Sequence, residues 1–314
     1  MSLPKLSLVT RTQVANAALK DGTVKPKLFV PEFVEVDPLI AAFRRMVRGH
    51  EFDICEMAIT TYMAAKAYKK PMTAIPVFIV RAFHHGAILV NKKAGVTKPS
   101  DLAGKKVGVN RGYTVTTGVW ARGIMQDEYG LDLNKVTWVL SGDEHVAEYK
   151  APANVVPMEA GKKMEDMLIS GELAAAIGVS VDHPDVGVLI PNAEEAGFAA
   201  LKATGHYPIN HLIVIKDELI AAHPGLAADV FNAFSQAKNI YVENLKAGKV
   251  ELKGDAKMHK RVLDITGKDP VPYGIAANRM NVENLIAHAK SQGILSGNEK
   301  IEDLFAKETL DLVG

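Results

Sequence analysis

The sequence is poor in features that staple small scaffolds or fix a chain to a charged surface. It contains a single cysteine, Cys55, so no intramolecular disulfide can form, and a lone thiol fits a reducing compartment. It has no excess of either charge: 37 Lys and Arg stand against 36 Asp and Glu, a formal net charge of +1. That balance argues against a broad nucleic-acid or membrane footprint, so selectivity for a charged ligand must come from local charge inside a site. No segment approaches the roughly 18 consecutive apolar residues of a membrane-spanning helix. The start, MSLPKLSLVTRTQ, has no basic segment followed by a long apolar run and a small-residue cleavage site, which predicts a cytoplasmic protein. A periplasmic protein whose signal had been trimmed would read the same way.

Several catalytic signatures are also missing. Gly108-x-Asn110-x-Gly112 lacks the third glycine of a dinucleotide fingerprint. There is no Gly-x-Ser-x-Gly elbow, no Walker loop and no His-Glu-x-x-His metal spacing. No internal repeat, low-complexity tract, heptad or charge run marks a protein partner, and the oligomeric state is not legible.

What is present is length and alternation. The chain has 314 residues, 48% of them hydrophobic and 23% charged, enough for about two domains with sizeable cores. Strand-like runs at 5–9, 28–36, 52–57, 73–80, 85–91, 105–109, 135–140, 173–179 and 211–215 alternate with helix-like runs at 38–47, 60–68, 114–129 and 162–170. From 217 onward the pattern is mainly helical, with runs at 224–245 and 281–292. Such alternation predicts an α/β fold with mixed, mostly parallel sheets flanked by helices. The β-prone runs 85–91 and 211–215 bracket a block with its own strand-helix-strand pattern. We therefore expect a discontinuous first lobe, 1–91 plus 212–314, a second lobe, 92–211, and a ligand cleft between them.

Five segments have residues suited to chemistry. Asn110-Arg111-Gly112-Tyr113-Thr114-Val115-Thr116-Thr117 lies between a strand and a helix. Exposed amides at a helix start favour an anion, and Arg111, Tyr113, Thr114 and Thr116 would add donors; one threonine would be explained by capping alone. Glu56, followed by Thr60-Thr61-Tyr62, is again at a strand-to-helix turn, and reads either as an acid or base or as a structural carboxylate. Cys55 has no His partner nearby in sequence and reads as a small buried residue. In Arg81-Ala82-Phe83-His84-His85, Arg81 can clamp a carboxylate and one histidine can donate a proton. A divalent metal would need further ligands such as His211 and Glu56, and no tight spacing indicates one. Tyr207-Pro208-Ile209-Asn210-His211 and Asp269-Pro270-Val271-Pro272-Tyr273-Gly274 are turns that could serve as hinges or bring His211 and Tyr273 to the site.

These segments, in this order, resemble the 4,5-dihydroxyphthalate decarboxylase family. The resemblance extends through Glu51-Phe52-Asp53-Ile54-Cys55-Glu56-Met57, Ile75-Pro76-Val77-Phe78, the run from Val119 to Gly130, and Ile275-Ala276-Ala277-Asn278-Arg279. It implies a fold of the periplasmic-binding-protein type II kind and removal of one carboxylate from a dihydroxylated aromatic diacid, with no organic cofactor. Carried over by position, the polar candidates are Glu56, Arg81, His85, Thr116, Arg122, His211, Tyr273 and Arg279. The family's Tyr-Asp-Arg-Thr stretch after the first strand is here Gln13-Val14-Ala15-Asn16, so Ala15 replaces an Arg, with Arg11, four residues upstream, as a candidate substitute. On this reading the ligand is a small anionic aromatic or dicarboxylate. Arg81 and Arg111 clamp it, His85 or His211 donates a proton to the ring, and Glu56 tunes the donor. The alternatives are a non-catalytic solute-binding protein of the transporter type and a biosynthetic or sensing relative for another small acid.

Overall fold

The computed structural model describes residues 3–314. In chain order its elements are β1 (Lys5–Val9), α1 (Ala17–Lys20), β2 (Val30–Phe33), α2 (Ile40–Gly49), β3 (Ile54–Ala58), α3 (Ile59–Ala67), β4 (Met72–Arg81), β5 (Ile88–Asn91), β6 (Lys106–Val109) and α4 (Thr116–Asp127). Then follow β7 (Thr137–Leu140), β8 (Val155–Pro157), α5 (Met164–Ser170), β9 (Ala175–Ile177), β10 (Val186–Val188), α6 (Ala193–Thr204) and β11 (Ile209–Lys216). The last helices are α7 (Asp217–Ala222), α8 (Leu226–Lys246), α9 (Asp255–Thr266) and α10 (Arg279–Ser291). Two compact units result. The first is the chain up to Arg81 with Ile209–Glu283 and Glu299–Gly314, and the second is Ala82–Pro208 with Asn284–Asn298.

The first unit is built on a five-stranded sheet of order β2-β1-β3-β11-β4. β1 runs parallel to β2 and β3, and β11 is antiparallel to both β3 and β4. β3 is buried at all five positions, as expected for a central strand covered on both faces. Amphipathic α2 buries Ala42, Phe43, Met46 and Val47, and ends at His50, whose left-handed backbone lets its N–H donate to the Met46 carbonyl at 3.0 Å. β4 carries Pro76 but is an edge strand, where a missing donor is tolerated. That edge is covered: Gly274 N donates to the Pro76 carbonyl at 2.8 Å, and Ala306 N to that of Ala74 at 2.9 Å. Gly274 has φ +90°, and a Cβ there would sit 2.4 Å from the Leu312 carbonyl oxygen, so only glycine lets the 270–278 turn lie this close.

The second unit is built on a six-stranded sheet of order β10-β5-β9-β6-β7-β8. β6 is parallel to β7 and β9, and β7 to β8, while β5 is antiparallel to β9 and β10. Met164, Met167 and Leu168 of α5 pack with Val139, Leu173, Ala176 and Val186. Gly108 permits this, because a Cβ on it would come within 2.8 Å of the Met164 sulfur. No helix among the described residues is long and apolar enough to cross a membrane.

Two features differ from the lobes read in the sequence. β5, expected at the end of the first lobe, pairs within the second unit's sheet; an apolar β-prone run does not encode which sheet it joins. Residues 284–298 also belong to the second unit, although the surrounding C-terminal helices belong to the first. α6 has no counterpart among the predicted elements. Its large buried side chains are Phe198 and Leu201, too few to print an apolar stripe.

Candidate functional site

Glu56 is a charged residue in the middle of a fully buried strand, with zero exposure. Leaving a carboxylate there without partners would cost several kcal/mol, so its surroundings decide its role. In register, β11 places Ile213 opposite Glu56 and His211 opposite Ala58, which puts His211 diagonal to Glu56 on the same face. His211 Nδ1 lies 2.7 Å from Glu56 Oε1. The other oxygen, Oε2, accepts from Thr10 Oγ1 at 2.8 Å, from Arg11 N at 3.2 Å and from Gln13 Nε2 at 3.4 Å. Thr10 is in place because β1 runs parallel to β3, with Val9 opposite Cys55.

The pattern of donors fixes the proton positions. Thr10, Arg11 N and Gln13 donate to Glu56, so the carboxyl is an acceptor at Oε2 and takes the His211 Nδ1 proton at Oε1. His211 Nε2 is left as the nitrogen available to a ligand. The edge of Phe43 meets the imidazole, ring centres 5.1 Å apart and planes at 87°, which holds the ring plane. The His211 side chain keeps 21% of its surface exposed while Glu56 keeps none. This is the layout of a buried carboxylate orienting a reachable imidazole. Cys55, one residue away, is fully buried and its thiol is pushed well up by burial, which leaves it un-ionised and inert.

The same unit gathers three more of the expected residues. Arg81, at the end of β4, is 5% exposed. Its Nη2 donates to Asn278 Oδ1 and, at 3.2 Å, to the Pro272 carbonyl. Asn278 in turn donates to the carbonyls of Pro272 and Gly274, so the 270–278 turn holds the guanidinium. Tyr273 is fully buried, and its hydroxyl has no hydrogen-bond partner among the described residues. Its pKa is raised, first by burial and then by Asp269, with Arg81 opposing and Glu56 adding to the rise. The phenol is therefore a neutral group whose charge environment is set by Asp269, Arg81 and Glu56. Lys238, buried in α8, pairs with Asp269 and lies 5.5 Å from the Tyr273 ring centre. Thr60 is buried in the first turn of α3, two residues beyond Ala58.

In the second unit the start of α4 already holds an anion. The Glu144 carboxylate accepts from Tyr113 N, from Thr114 N at 3.2 Å and from Thr114 Oγ1 at 2.6 Å. The physics read in the sequence is present, but the chain supplies its own carboxylate. Gly112 makes room for it, since a Cβ there would lie 2.6 Å from Glu144 Oε2. The Tyr113 ring is covered by the Arg122 guanidinium at 3.8 Å, so Tyr113 and Thr114, expected to bind ligand, are engaged internally. Thr116 is buried as the first residue of α4. Arg111 has a left-handed backbone, φ 72°. Its N–H donates to Ser141 Oγ at 2.7 Å, its Nε is buried without a partner among the described residues, and burial lowers its pKa.

His85 differs from the expectation of a proton donor. It lies in the second unit with zero exposure, Nε2 3.1 Å from both Glu128 oxygens and Nδ1 without a partner among the described residues. A sealed ring of this kind is a hydrogen-bond partner inside its own unit. Arg122, carried over by resemblance, is also internal: Nε donates to Gln292 Oε1 at 2.8 Å and Nη2 to the Tyr113 carbonyl at 2.6 Å. Arg279 is an exposed residue paired with Glu283 and Glu302. No group of three or more His, Cys, Asp or Glu among the described residues is arranged to hold a metal ion.

Comparison with known proteins agrees with the resemblance. Residues 43–244 match the NMT1/THI5-like family. A 4,5-dihydroxyphthalate decarboxylase from Comamonas testosteroni is 29% identical over 328 positions, covering 99% of each chain. One from Pseudomonas putida is 33% identical over 210 positions, covering 62% of this chain and 81% of its own. The chain belongs to the NMT1/THI5-like and 4,5-dihydroxyphthalate decarboxylase families. Among solved structures, the periplasmic aliphatic sulphonate-binding protein of Escherichia coli superposes with a TM-score of 0.53 at 13% identity, covering 97% of this chain and 92% of its own. The fold is thus that of the periplasmic binding proteins, as the resemblance implied.

Sequence reasoning missed the residues that cradle Glu56. Gln13 and Asn16 enter the sequence reading only as departures from the family stretch, and Thr10 does not enter it at all. The available signal was positional: Thr10 follows a strand that would pair beside the one carrying Glu56. Glu128 and Glu144, which close His85 and the α4 start, gave no such signal.

Proposed function

We propose that this protein decarboxylates a hydroxylated aromatic diacid of the 4,5-dihydroxyphthalate class, with His211 transferring the proton. The observation that supports it most directly is the Glu56–His211 pair, in which a buried carboxylate fixes Nδ1 and leaves Nε2 for a ligand. In 4,5-dihydroxyphthalate each carboxylate has a ring hydroxyl para to it, which enriches the carbon bearing that carboxylate. His211, as the imidazolium, delivers its Nε2 proton to that carbon. The bond to the carboxylate then breaks, carbon dioxide leaves, and the bonding pair returns to the ring to restore aromaticity. Glu56 stabilises the imidazolium before transfer, and its burial strengthens that interaction. Arg81, held by Asn278 and the Pro272 carbonyl, is the cation for a substrate carboxylate. The ring accepts the electron pair itself, so the mechanism calls for no organic cofactor.

The test is incubation with 4,5-dihydroxyphthalate, following carbon dioxide and the monoacid product, for the wild type and His211→Gln. Turnover by the wild type, with binding but no turnover in the variant, is the expected result. Full activity in His211→Gln removes His211 from the chemistry. A diacid that raises the melting temperature yet survives intact points instead to a solute-binding protein on the same fold.

A further inference from the structure

The carboxylate of Glu56 has a second layer of support. Asn16 is fully buried. Its Nδ2 donates to Thr10 Oγ1 at 3.1 Å and to the Arg11 carbonyl at 2.9 Å, and its Oδ1 accepts from Gln13 N at 2.8 Å. Thr10 Oγ1 has one proton and two nearby acceptors, Glu56 Oε2 at 2.8 Å and the Arg11 carbonyl at 3.3 Å. Asn16 settles that choice. It donates to the hydroxyl oxygen, so that lone pair is used, and it also occupies the competing carbonyl. The Thr10 proton is thereby directed to Glu56.

We infer that Asn16 and Thr10 are positioning residues for His211, acting through a directed chain Asn16 Nδ2–H to Thr10 Oγ1–H to Glu56 Oε2. Each link fixes the next. With Oε2 committed to Thr10, Arg11 N and Gln13, the opposite oxygen faces His211 Nδ1 and holds its proton there. Gln13 is a second member of the cradle, its side chain on Glu56 and its N–H on Asn16. The stretch in which this chain departs from its family thus includes two residues that build the support around Glu56. The inference rests on the proposed role of His211, but its primary readout does not.

The experiment is ¹⁵N NMR of the His211 ring, assigned by its loss in His211→Gln, together with steady-state kinetics on 4,5-dihydroxyphthalate. In the wild type at neutral pH the proton is expected on Nδ1. Thr10→Val keeps the shape and removes the donor. It should shift the Nδ1–H resonance downfield, because a carboxylate that loses a donor accepts the imidazole proton more strongly, and lower kcat about tenfold with KM near its wild-type value. Asn16→Ala should shift that resonance in the same direction, more weakly, since the hydroxyl can still reach Glu56. Thr10→Ser should restore both readouts, which a purely packing role for the threonine would not predict. A Thr10→Val spectrum with the wild-type Nδ1–H shift, or a Thr10→Ser variant as impaired as Thr10→Val, overturns the inference. A wild type that binds the diacid without decarboxylating it would sink the proposed function while leaving the NMR measurement valid.

Discussion

Replacing Glu56 by glutamine changes one atom and leaves the shape. The wild-type carboxylate takes three donors on Oε2 and the His211 Nδ1 proton on Oε1. An amide has one acceptor oxygen and one NH₂ group. Satisfying three donors outweighs satisfying one, so the amide oxygen is expected to face Thr10, Arg11 N and Gln13, and the NH₂ to face His211. Nδ1 must then accept, and the ring proton moves to Nε2. The imidazolium also loses a charge-assisted hydrogen bond, worth about 1.5–3 kcal/mol. Together with the wrong tautomer, this places the expected loss in kcat at roughly 10²–10⁴-fold. KM should stay within about threefold, because Glu56 has no exposed surface with which to bind substrate. The assay is carbon dioxide release under saturating diacid, alongside a thermal melt that shows the variant folded. Glu56→Ala makes a useful contrast, since it strips the acceptor from buried donors and should destabilise by several kcal/mol. A folded Glu56→Gln variant with kcat within threefold of wild type would refute the dyad as the proton-handling unit.

Acid sensitivity should come partly from two histidines outside the dyad. Burial lowers the pKa of both His206 and His259 to about 4, against about 6.5 unfolded. Between those values the unfolded chain binds the extra proton, so stability falls as pH drops from 6.5 toward 4 and levels off below, by up to about 3 kcal/mol per histidine. Urea unfolding across that window should show the slope, and His259→Gln should flatten it; an unchanged slope would refute the assignment. Arg122→Lys removes a guanidinium stacked 3.8 Å from the Tyr113 ring and bonded to Gln292 and the Tyr113 carbonyl. It should destabilise the second unit by about 2–4 kcal/mol in chemical denaturation, and a loss under 0.5 kcal/mol would contradict that role. Gly274→Ala meets a backbone oxygen at 2.4 Å with φ at +90°. It should lower the melting temperature and raise KM through displacement of Asn278 and, with it, Arg81, with neither change counting against the turn as a support of the binding residue.

The sequence was most legible where a residue contradicts its local context. Glu56 stands out because 52–57 otherwise reads as a buried strand, and a buried charge demands a reason. His211 was visible as a polar residue heading an apolar run. Their pairing was not visible, because the two are 155 positions apart and only the antiparallel insertion of β11 beside β3 brings them together. Arg81 and Tyr273 were singled out from their own segments before the family resemblance, and a turn packed on a strand edge joins them. The misreadings share one cause. His85 and the start of α4 have the right local chemistry, yet Glu128 and Glu144, 43 and about 30 residues further along, satisfy them within their own unit. Local pattern reports what a segment can bind and is silent on what has already reached it.

That distinction separates the two strand-to-helix turns, which look alike in sequence. The turn after β6 offers amides, hydroxyls and an arginine, and a folded loop closes it with Glu144. The turn after β3 places its carboxylate inside the strand instead, one layer below the surface. Donors from the β1 loop meet that carboxylate from one side, and the histidine meets it from the other. The Glu144 carboxylate takes up two amides and a hydroxyl of that turn and leaves them unavailable to a ligand. A carboxylate that ends on an imidazole transmits its charge through that ring to Nε2, where a substrate proton can be moved. Moving a proton on this fold takes one buried acid on a central strand, one histidine on the strand returning beside it, and a loop that supplies donors to the acid. In this chain all three lie in the first unit, which is why the chemistry is assigned to Glu56 and His211 and not to the better-furnished turn at Arg111.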